Sequence, residues 1–423
     1  MKQHPVLDSL AMAGVKMGLT RMRDFLAWLG DPHLAIPVVH VGGTNGKGSG
    51  CRMVAAMLEA QGYKVGVTTS PHLQDINERL RIGAIPISDA ALDHLLRRVG
   101  AARDAWAADR LGIDAPGGDG LPLTWFELSI AAAYVWFAEE RVDVAVVEVG
   151  MGGRLDATNV CAPLVTSVVT VGLDHTDHLG PDHASIAGEK AGIIKPGVPV
   201  VTGPMPTAAM QVIRTVAVER GAPLYAWGED FHAAGRYDDF LFRSPAGERS
   251  SLRLGLAGDH QVINAGVALR LVELLPRELA VVDEAVRAGL IAARNRGRLE
   301  WLAPDLLVDG AHNPDGAGVL ARYLASQPRD RRRTLLLGGG HDKDIRGVGA
   351  VLAPQVDRIL TTACDHPKAR SPWEVANQLA GLTVPVTPSG PIAEALAVAR
   401  NGRDLVIVAG SLYLVGAARD LVG

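Results

Sequence analysis

Short apolar, β-branched runs alternate along this chain with longer stretches whose apolar residues recur at helical spacing. IPVVHV (36–41), KVGVTT (64–69), VDVAVVEV (142–149), LVTSVVTV (164–171) and VPVVT (198–202) read as strands. Residues 49–61 and 124–139 read as helices. Apolar runs without polar alternation suit strands covered on both faces, as in a parallel sheet flanked by helices. The alternation predicts an α/β doubly wound fold. Residues 236–256 change character and read as short antiparallel strands closing a first domain. Beyond the charged, glycine-containing stretch AARNRGR (292–298) the alternation restarts with DLLVDG (305–310), TLLLGGG (334–340), DRILTT (357–362) and DLVIVAG (404–410). A boundary is expected near 296, with one domain over 1–295 and a second over 296–423. GIDAPGGDGLP (112–122) has the composition of a surface loop.

Length agrees with this division, because 423 residues exceed what one core usually holds. The formal charge is only −4 and both signs are mixed, so there is no basic field to recruit nucleic acid. The densest basic run, RDRRR (329–333), is expected in a solvated loop. Cys51, Cys161 and Cys364 lie far apart without a Cys-x-x-Cys pair. That usage argues against a disulfide framework or zinc knuckle and for a reducing compartment. No apolar stretch reaches the roughly 18 residues of a membrane span. The first residues lack an apolar core followed by a cleavage site. A cytoplasmic protein without nucleic-acid or membrane partners is expected, with a monomer as the default.

HVGGTNGKGS (40–49) sits between a predicted strand and a predicted helix. Glycines allow positive φ and close backbone approach, and a helix N-terminus favours an anion. Lys47 can reach terminal phosphates, and the Ser49 hydroxyl can face a metal ion or a phosphate oxygen. The strict G-x-x-x-x-G-K-[ST] pattern is not met: Val41 occupies the first glycine position, and Gly48 separates Lys47 from Ser49. A turn that only caps a helix would need neither the lysine nor this strand–helix setting. The loop by itself indicates nucleotide phosphate and nothing more specific.

Three further segments follow predicted strands: TTSPHL (68–73), EVGMGGRLDATN (148–159) and GLDHTDHLG (172–180). Open α/β sheets bind ligands at the carboxyl ends of their strands. Ser70, Glu148 and His175 could converge there on one cation, a mixed donor set suited to Mg²⁺ or Mn²⁺. Each alone also has a bland reading: a turn serine, an arginine partner, a loop histidine. In EKAGIIKPG (189–197), Lys190 ends a predicted helix and joins the same cleft if it lies near Asp174, His175 and Asp177.

Taken together, these stretches resemble the folylpolyglutamate synthase/dihydrofolate synthase family, within the wider Mur-ligase-type ATP-dependent amide ligases. The likeness also takes in MGLTRM (17–22), NERLRIG (77–83), LTWFE (123–127), DHQVINA (259–265), GRLEWL (297–302), VDGAHNPDG (308–316), GGGHDKD (338–344) and GSLYLVG (410–416). The resemblance implies an N-terminal P-loop ATPase-type domain with a mainly parallel sheet, a C-terminal Rossmann-like glutamate-ligase domain, and an active site between them. It implies ATP at Gly46, Lys47, Gly48 and Ser49, with further nucleotide contacts at Asn264, Arg298 and Asp309 and with His312 nearby. It implies magnesium ligands at Ser70, Glu148 and His175, two Mg²⁺ ions, and a carbamylated Lys190. Its pteroate-binding stretches fall on Gly18, Leu19 and Thr20, on Thr124, Trp125, Phe126 and Glu127, and on Leu155, Asp156 and Ala157. Lys47, Lys190, His175 and Glu148 would carry catalysis.

The implied reaction adds L-glutamate to dihydropteroate, to the glutamate tail of reduced folates, or to both, through an acyl phosphate. A ligase of the same class acting on a cell-wall peptide precursor is a second reading, against which TSPHL, GHDKD and LTWFE speak. A nucleotide-binding module without catalysis is a third, and the presence of Lys47, Glu148, His175 and Lys190 speaks against it.

Overall fold

A computed structural model describes residues 4–8, 10, 18–110 and 123–422. The predicted loop over 112–122 lies outside the described residues. The chain divides into two units. One holds the described residues up to Gly255 together with Val262–Arg294, and the other holds Leu256–Gln261 together with the described residues from Asn295 onward.

In the first unit, β1 (Val38–Gly42), β2 (Val65–Thr68), β3 (Leu80–Ile82), β4 (Ile85–Pro86), β5 (Val144–Glu148), β6 (Pro163–Val168), β7 (Val200–Thr202) and β8 (Leu224–Ala226) form one sheet. Their order is β4-β3-β2-β5-β1-β6-β7-β8. The six strands from β2 to β8 in that order pair in parallel, and β3 and β4 add an antiparallel edge. Every residue of β1 and β5 is buried, as their unbroken apolar runs predict. Ala145 and Val147 of β5 share an apolar cluster with Leu128, Ala131, Tyr134 and Phe137 of helix Trp125–Glu139. That helix starts where it does because Thr124 and Glu127 form a capping box. β9 (His232–Arg236), β10 (Asp239–Ser244) and β11 (Gly247–Leu252) make an antiparallel meander.

In the second unit, β12 (Glu300–Ala303), β13 (Leu306–Val308), β14 (Arg333–Leu337), β15 (Arg358–Ala363), β16 (Val386–Pro391) and β17 (Leu405–Ala409) take the order β12-β13-β17-β14-β15-β16. Only β12 is antiparallel to its neighbour. β16 is invisible as an apolar run because it reads VTPSGP, and its prolines are tolerated at the edge of the sheet. Helix His260–Glu273, which from Val262 onward belongs to the first unit, is equally hidden. Val262, Ala265, Val267, Ala268, Leu269, Leu271 and Val272 are all buried, so no polar stripe marks its period. Among the described residues no helix is long and apolar enough to cross a membrane.

The expectation of a solvated RDRRR loop needs correction at its last residue. Arg329 to Arg332 are exposed, but Arg333 opens β14 and is 1 % exposed. Its guanidinium donates to the carbonyls of Gln327, Pro328 and Gln355, so the charge is held by peptide dipoles rather than water. Arg333→Ala should destabilise the protein by on the order of 3 kcal/mol, because carbonyls lose a charged donor. Arg329→Ala, which breaks a half-exposed pair with Asp357, should stay within about 0.5 kcal/mol. Urea unfolding of the two variants checks the contrast.

Candidate active site

β1 lies between β5 and β6, and its carboxyl end runs straight into the glycine-rich loop. Thr44 N donates to Thr170 O at 2.8 Å, and Asn45 N donates to Thr170 Oγ1 at 3.0 Å. Thr170 Oγ1 in turn donates to Asn45 O, and the Thr44 hydroxyl bridges to Gly172 through both its carbonyl and its amide. The segment after β6 therefore clamps the loop from one side. A Cβ on Gly43 would come within 3.0–3.2 Å of the Val169 and Thr170 backbone, at φ +140°. Only glycine fits this approach. Helix Lys47–Ala60 begins at Gly46, in left-handed conformation and without a side-chain cap. Its first N–H groups have no acceptor within the helix and face outward with the positive end of the dipole. The helix starts at Lys47 rather than at the predicted Ser49, which places Lys47, Gly48 and Ser49 in its first turn.

Lys47 Nζ folds over this loop and donates to the carbonyls of Gly43 and Thr44 at 3.0 Å. Lys190 Nζ, from the last turn of helix His183–Ala191, donates to the same Gly43 oxygen at 3.0 Å. Two amines 143 positions apart in sequence thus meet at one carbonyl. Lys190 is 4 % exposed. Burial, and then the charge of Lys47, lower its pKa from 10.5 to about 7, against the pull of Asp174 and Asp156. Asn264 also reaches the loop: a Cβ on Gly46 would lie 2.4 Å from Asn264 Oδ1.

Strand order places the remaining predicted residues in a row along the carboxyl edge. Glu148 ends β5 and pairs in register with Val41. Ser70 follows β2, and its N–H donates to Glu148 Oε2 at 3.1 Å. Glu148 is buried at 5 % exposure. The structure thus brings Ser70 and Glu148 together beside the loop. His175 lies beyond β6 on the other side of β1, in left-handed conformation at the start of helix Thr176–Leu179. Asp174 Oδ1 accepts the His175 N–H at 2.9 Å. Glu148 and His175 therefore flank the loop from strands on opposite sides of β1.

The three stretches matched to pteroate binding also gather. Arg21, one residue past Thr20, pairs with Glu127 at 3.1 Å in a nearly buried ion pair. Gly150 lies directly against Phe126, where a Cβ would meet the ring at 2.5 Å. The turn over 150–157 wraps the Asp156 carboxylate, which accepts from Met151 N, Thr158 N and Thr158 Oγ1. Burial raises the Asp156 carboxyl above the usual range, and these hydrogen bonds oppose the rise. Arg154 N donates to Glu189 O, and Asn159 Nδ2 donates to Arg154 O and Gly192 O. The turn is thereby tied to the helix that carries Lys190. Sequence reasoning assigned no part to Arg79, whose guanidinium lies 4.6 Å from the Trp125 ring centroid and donates to His72 Nδ1 at 2.8 Å. The signal was present, since both residues fall in the NERLRIG and TSPHL stretches. Thr170 and His40 were likewise passed over; neither stands out from the apolar strand around it.

In the second unit, Asp309 follows β13 and is buried. Its carboxylate accepts from Leu299 N and Ala311 N at 2.8 Å. Burial raises its pKa, and Arg298 is the first group to oppose that. Gly310 lies against Arg298, where a Cβ would come 3.1 Å from Nη1. His312 Nδ1 lies 2.8 Å from Gly310 O, and Asn313 caps helix Pro314–Ser326. Arg298, Asp309 and His312 thus share one corner at the carboxyl end of β13.

The Mur ligase glutamate-ligase domain family matches residues 297–412. The Bacillus subtilis dihydrofolate synthase/folylpolyglutamate synthase is 34 % identical over 96 % of this chain and 95 % of its own. The Mycobacterium tuberculosis folylpolyglutamate synthase, solved with ADP and AMPPCP, superposes with a TM-score of 0.91 at 34 % identity, covering 99 % of this chain and 97 % of that one. A bifunctional folylpolyglutamate synthase/dihydrofolate synthase solved with Mn, AMPPNP and L-glutamate gives 0.85 at 31 % identity, covering 99 % and 98 %. These likenesses, with a parallel α/β unit followed by this domain, define an ATP-dependent acid–amino-acid ligase of the Mur ligase type. Within that class, the chain belongs to the folylpolyglutamate synthase/dihydrofolate synthase family.

The buried amine of Lys190 has a measurable consequence. Its folded pKa lies below its unfolded value, so the unfolded chain binds more protons between about pH 7 and pH 10. The destabilisation is complete below pH 7 and fades as pH rises through that window. In CO₂-free buffer, Lys190→Met should exceed the wild type in stability by about 2–5 kcal/mol at pH 6. The gap should shrink toward pH 10 in urea melts. A gap independent of pH would contradict the lowered value.

Proposed function

We propose that this ligase joins L-glutamate to dihydropteroate and to the glutamyl tail of reduced folates, using ATP. The observation that carries the reading is the pair of amines, Lys47 and Lys190, on the Gly43 carbonyl, at the sheet edge that also holds Ser70 and Glu148. Support comes from the near full-length likeness to enzymes named for these two reactions.

A carboxylate is a poor acyl donor. Transfer of the ATP γ-phosphoryl group makes an acyl phosphate, the amine of glutamate attacks its carbonyl carbon, and inorganic phosphate leaves as the amide forms. Phosphoryl transfer asks for alignment and charge neutralisation more than covalent help. The amides of Gly46, Lys47, Gly48 and Ser49 with the Lys47 ammonium would take the β- and γ-phosphates. Asn264, against the loop, would contact the nucleotide, as would Arg298, Asp309 and His312 in the second unit. The stretches Gly18–Thr20, Thr124–Glu127 and Leu155–Ala157 would hold the pteroate moiety, with Trp125 and Phe126 as its aromatic contacts.

Ser70, Glu148 and His175 would hold Mg²⁺. A hydroxyl and a buried carboxylate beside the phosphate loop fit a hard cation that keeps part of its water shell. Bound there, the ion would neutralise charge on the transferring phosphoryl group. Lys190 suits carbamylation, because an amine with pKa about 7 is partly neutral at physiological pH, the form that reacts with CO₂. Its carbamate would offer oxygens to a second Mg²⁺. We place the enzyme in the cytoplasm as a monomer; its three free cysteines fit a reducing compartment.

A panel of dihydropteroate, tetrahydrofolate and a diglutamyl folate, each with ATP, Mg²⁺ and glutamate, tests the reading. Phosphate release should require both acceptor and glutamate, and a UDP-muramyl acceptor should give none. Release indifferent to glutamate would end it. Lys47→Ala should lower turnover by about 10³-fold or more with an unchanged melting temperature. Lys190→Ala should lose activity, recover part of it with added short-chain carboxylates, and gain nothing from bicarbonate.

A further inference from the structure

We propose that His40 is a positioning residue for the acceptor substrate: its Nε2–H holds the Thr158 hydroxyl, which holds the Asp156 carboxylate and with it the turn over 150–157. The role rests on the reading of that turn as part of the pteroate-binding side. His40 belongs to β1, three residues before Gly43, and is fully buried. Its Nε2 lies 2.9 Å from Thr158 Oγ1, across 118 positions of sequence. Thr158 Oγ1 lies 2.5 Å from Asp156 Oδ1, the length of a charge-assisted O–H···O⁻ bond.

Direction follows from counting protons. Both Asp156 oxygens receive backbone N–H groups, from Met151 and from Thr158, so the carboxylate is the acceptor and Thr158 the donor. A hydroxyl has one proton. With that proton directed at Asp156, Thr158 Oγ1 can only accept from His40, which puts the ring proton on Nε2. The other tautomer would bury an N–H at Nδ1, where no hydrogen-bond partner exists among the described residues, at the cost of an unsatisfied donor. Burial and the charge of Lys195 keep the ring neutral. The far side of Thr158 is fixed as well, because Tyr134 Oη donates to its carbonyl. The strand that carries the phosphate loop therefore also anchors, through two side-chain bonds, the turn packed on Phe126. A residue behind the turn, touching no ligand, sets where Asp156 and Gly150 stand.

Steady-state kinetics of His40→Leu, His40→Gln and Thr158→Val test this with dihydropteroate as the acceptor. Gln can present an amide N–H near the position of Nε2; Leu cannot. His40→Leu and Thr158→Val should raise the KM for dihydropteroate about 10-fold and leave the KM for ATP within about twofold. His40→Gln should recover most of the loss. Equal rises in both KM values, or no rise in the acceptor KM, would overturn the role. Wild-type enzyme that shows no acceptor-dependent turnover overturns the pteroate reading and this role with it, before any variant is compared. Should His40→Leu fail to fold, ¹⁵N NMR of the wild-type ring decides: a proton on Nε2 at pH 7 supports the chain of donors, and a proton on Nδ1 refutes it.

Discussion

The carbonyl oxygen of Gly43 is the point on which the placement of two lysine amines in the first unit depends. It accepts two lysine amines that repel each other. One of them, Lys190, is also buried, and the two effects together bring its pKa to about 7. A surface lysine would remain an ammonium at neutral pH. The same carbonyl is available only because Gly43 adopts a left-handed backbone pressed against Val169 and Thr170. A side chain there would push the loop away from β6 and separate the two amines. Backbone geometry at one glycine thus precedes the electrostatics of both lysines.

Strand order does the rest. β1 stands between β5 and β6, so whatever follows those three strands shares one edge. The glycine-rich loop follows β1, Glu148 ends β5, and the segment leading to His175 follows β6. β2 lies beyond β5 and delivers Ser70 to Glu148. β1 also carries His40, so one strand serves the loop at its end and the Asp156 turn from its side. Most of these groups are held by backbone hydrogen bonds of neighbouring elements rather than by one another.

Much of this was legible in one dimension. Most of the parallel strands of both units announce themselves as apolar runs because they are buried on both faces, whereas the short β3, β4, β8 and β12 do not. The loop HVGGTNGKGS and the segments after three strands share the carboxyl edge of the sheet, the edge at which open α/β sheets bind ligands. Elements that break those rules escaped notice: β16 with its two prolines, helix His260–Glu273 with apolar residues all round, and Arg333, whose charge disguised a buried position. Thr170, Arg79 and His40 escaped for another reason. Threonine, arginine and histidine are ordinary in strands and loops; Thr170 and His40 act on partners more than a hundred positions away, and Arg79 on a ring across from its own element as well as on His72.

Local sequence by itself determined most of the buried parallel strands, where the glycine-rich loop begins, and which family the chain resembles, because those properties depend on neighbouring residues and on side-chain period. Only the tertiary structure decided that Lys47 and Lys190 meet at one carbonyl, that Ser70 rests beside Glu148, and that His40 stands behind Asp156. Those outcomes follow from the order of strands in the sheet and from burial, which are set by long-range packing and leave no mark in any short stretch of residues.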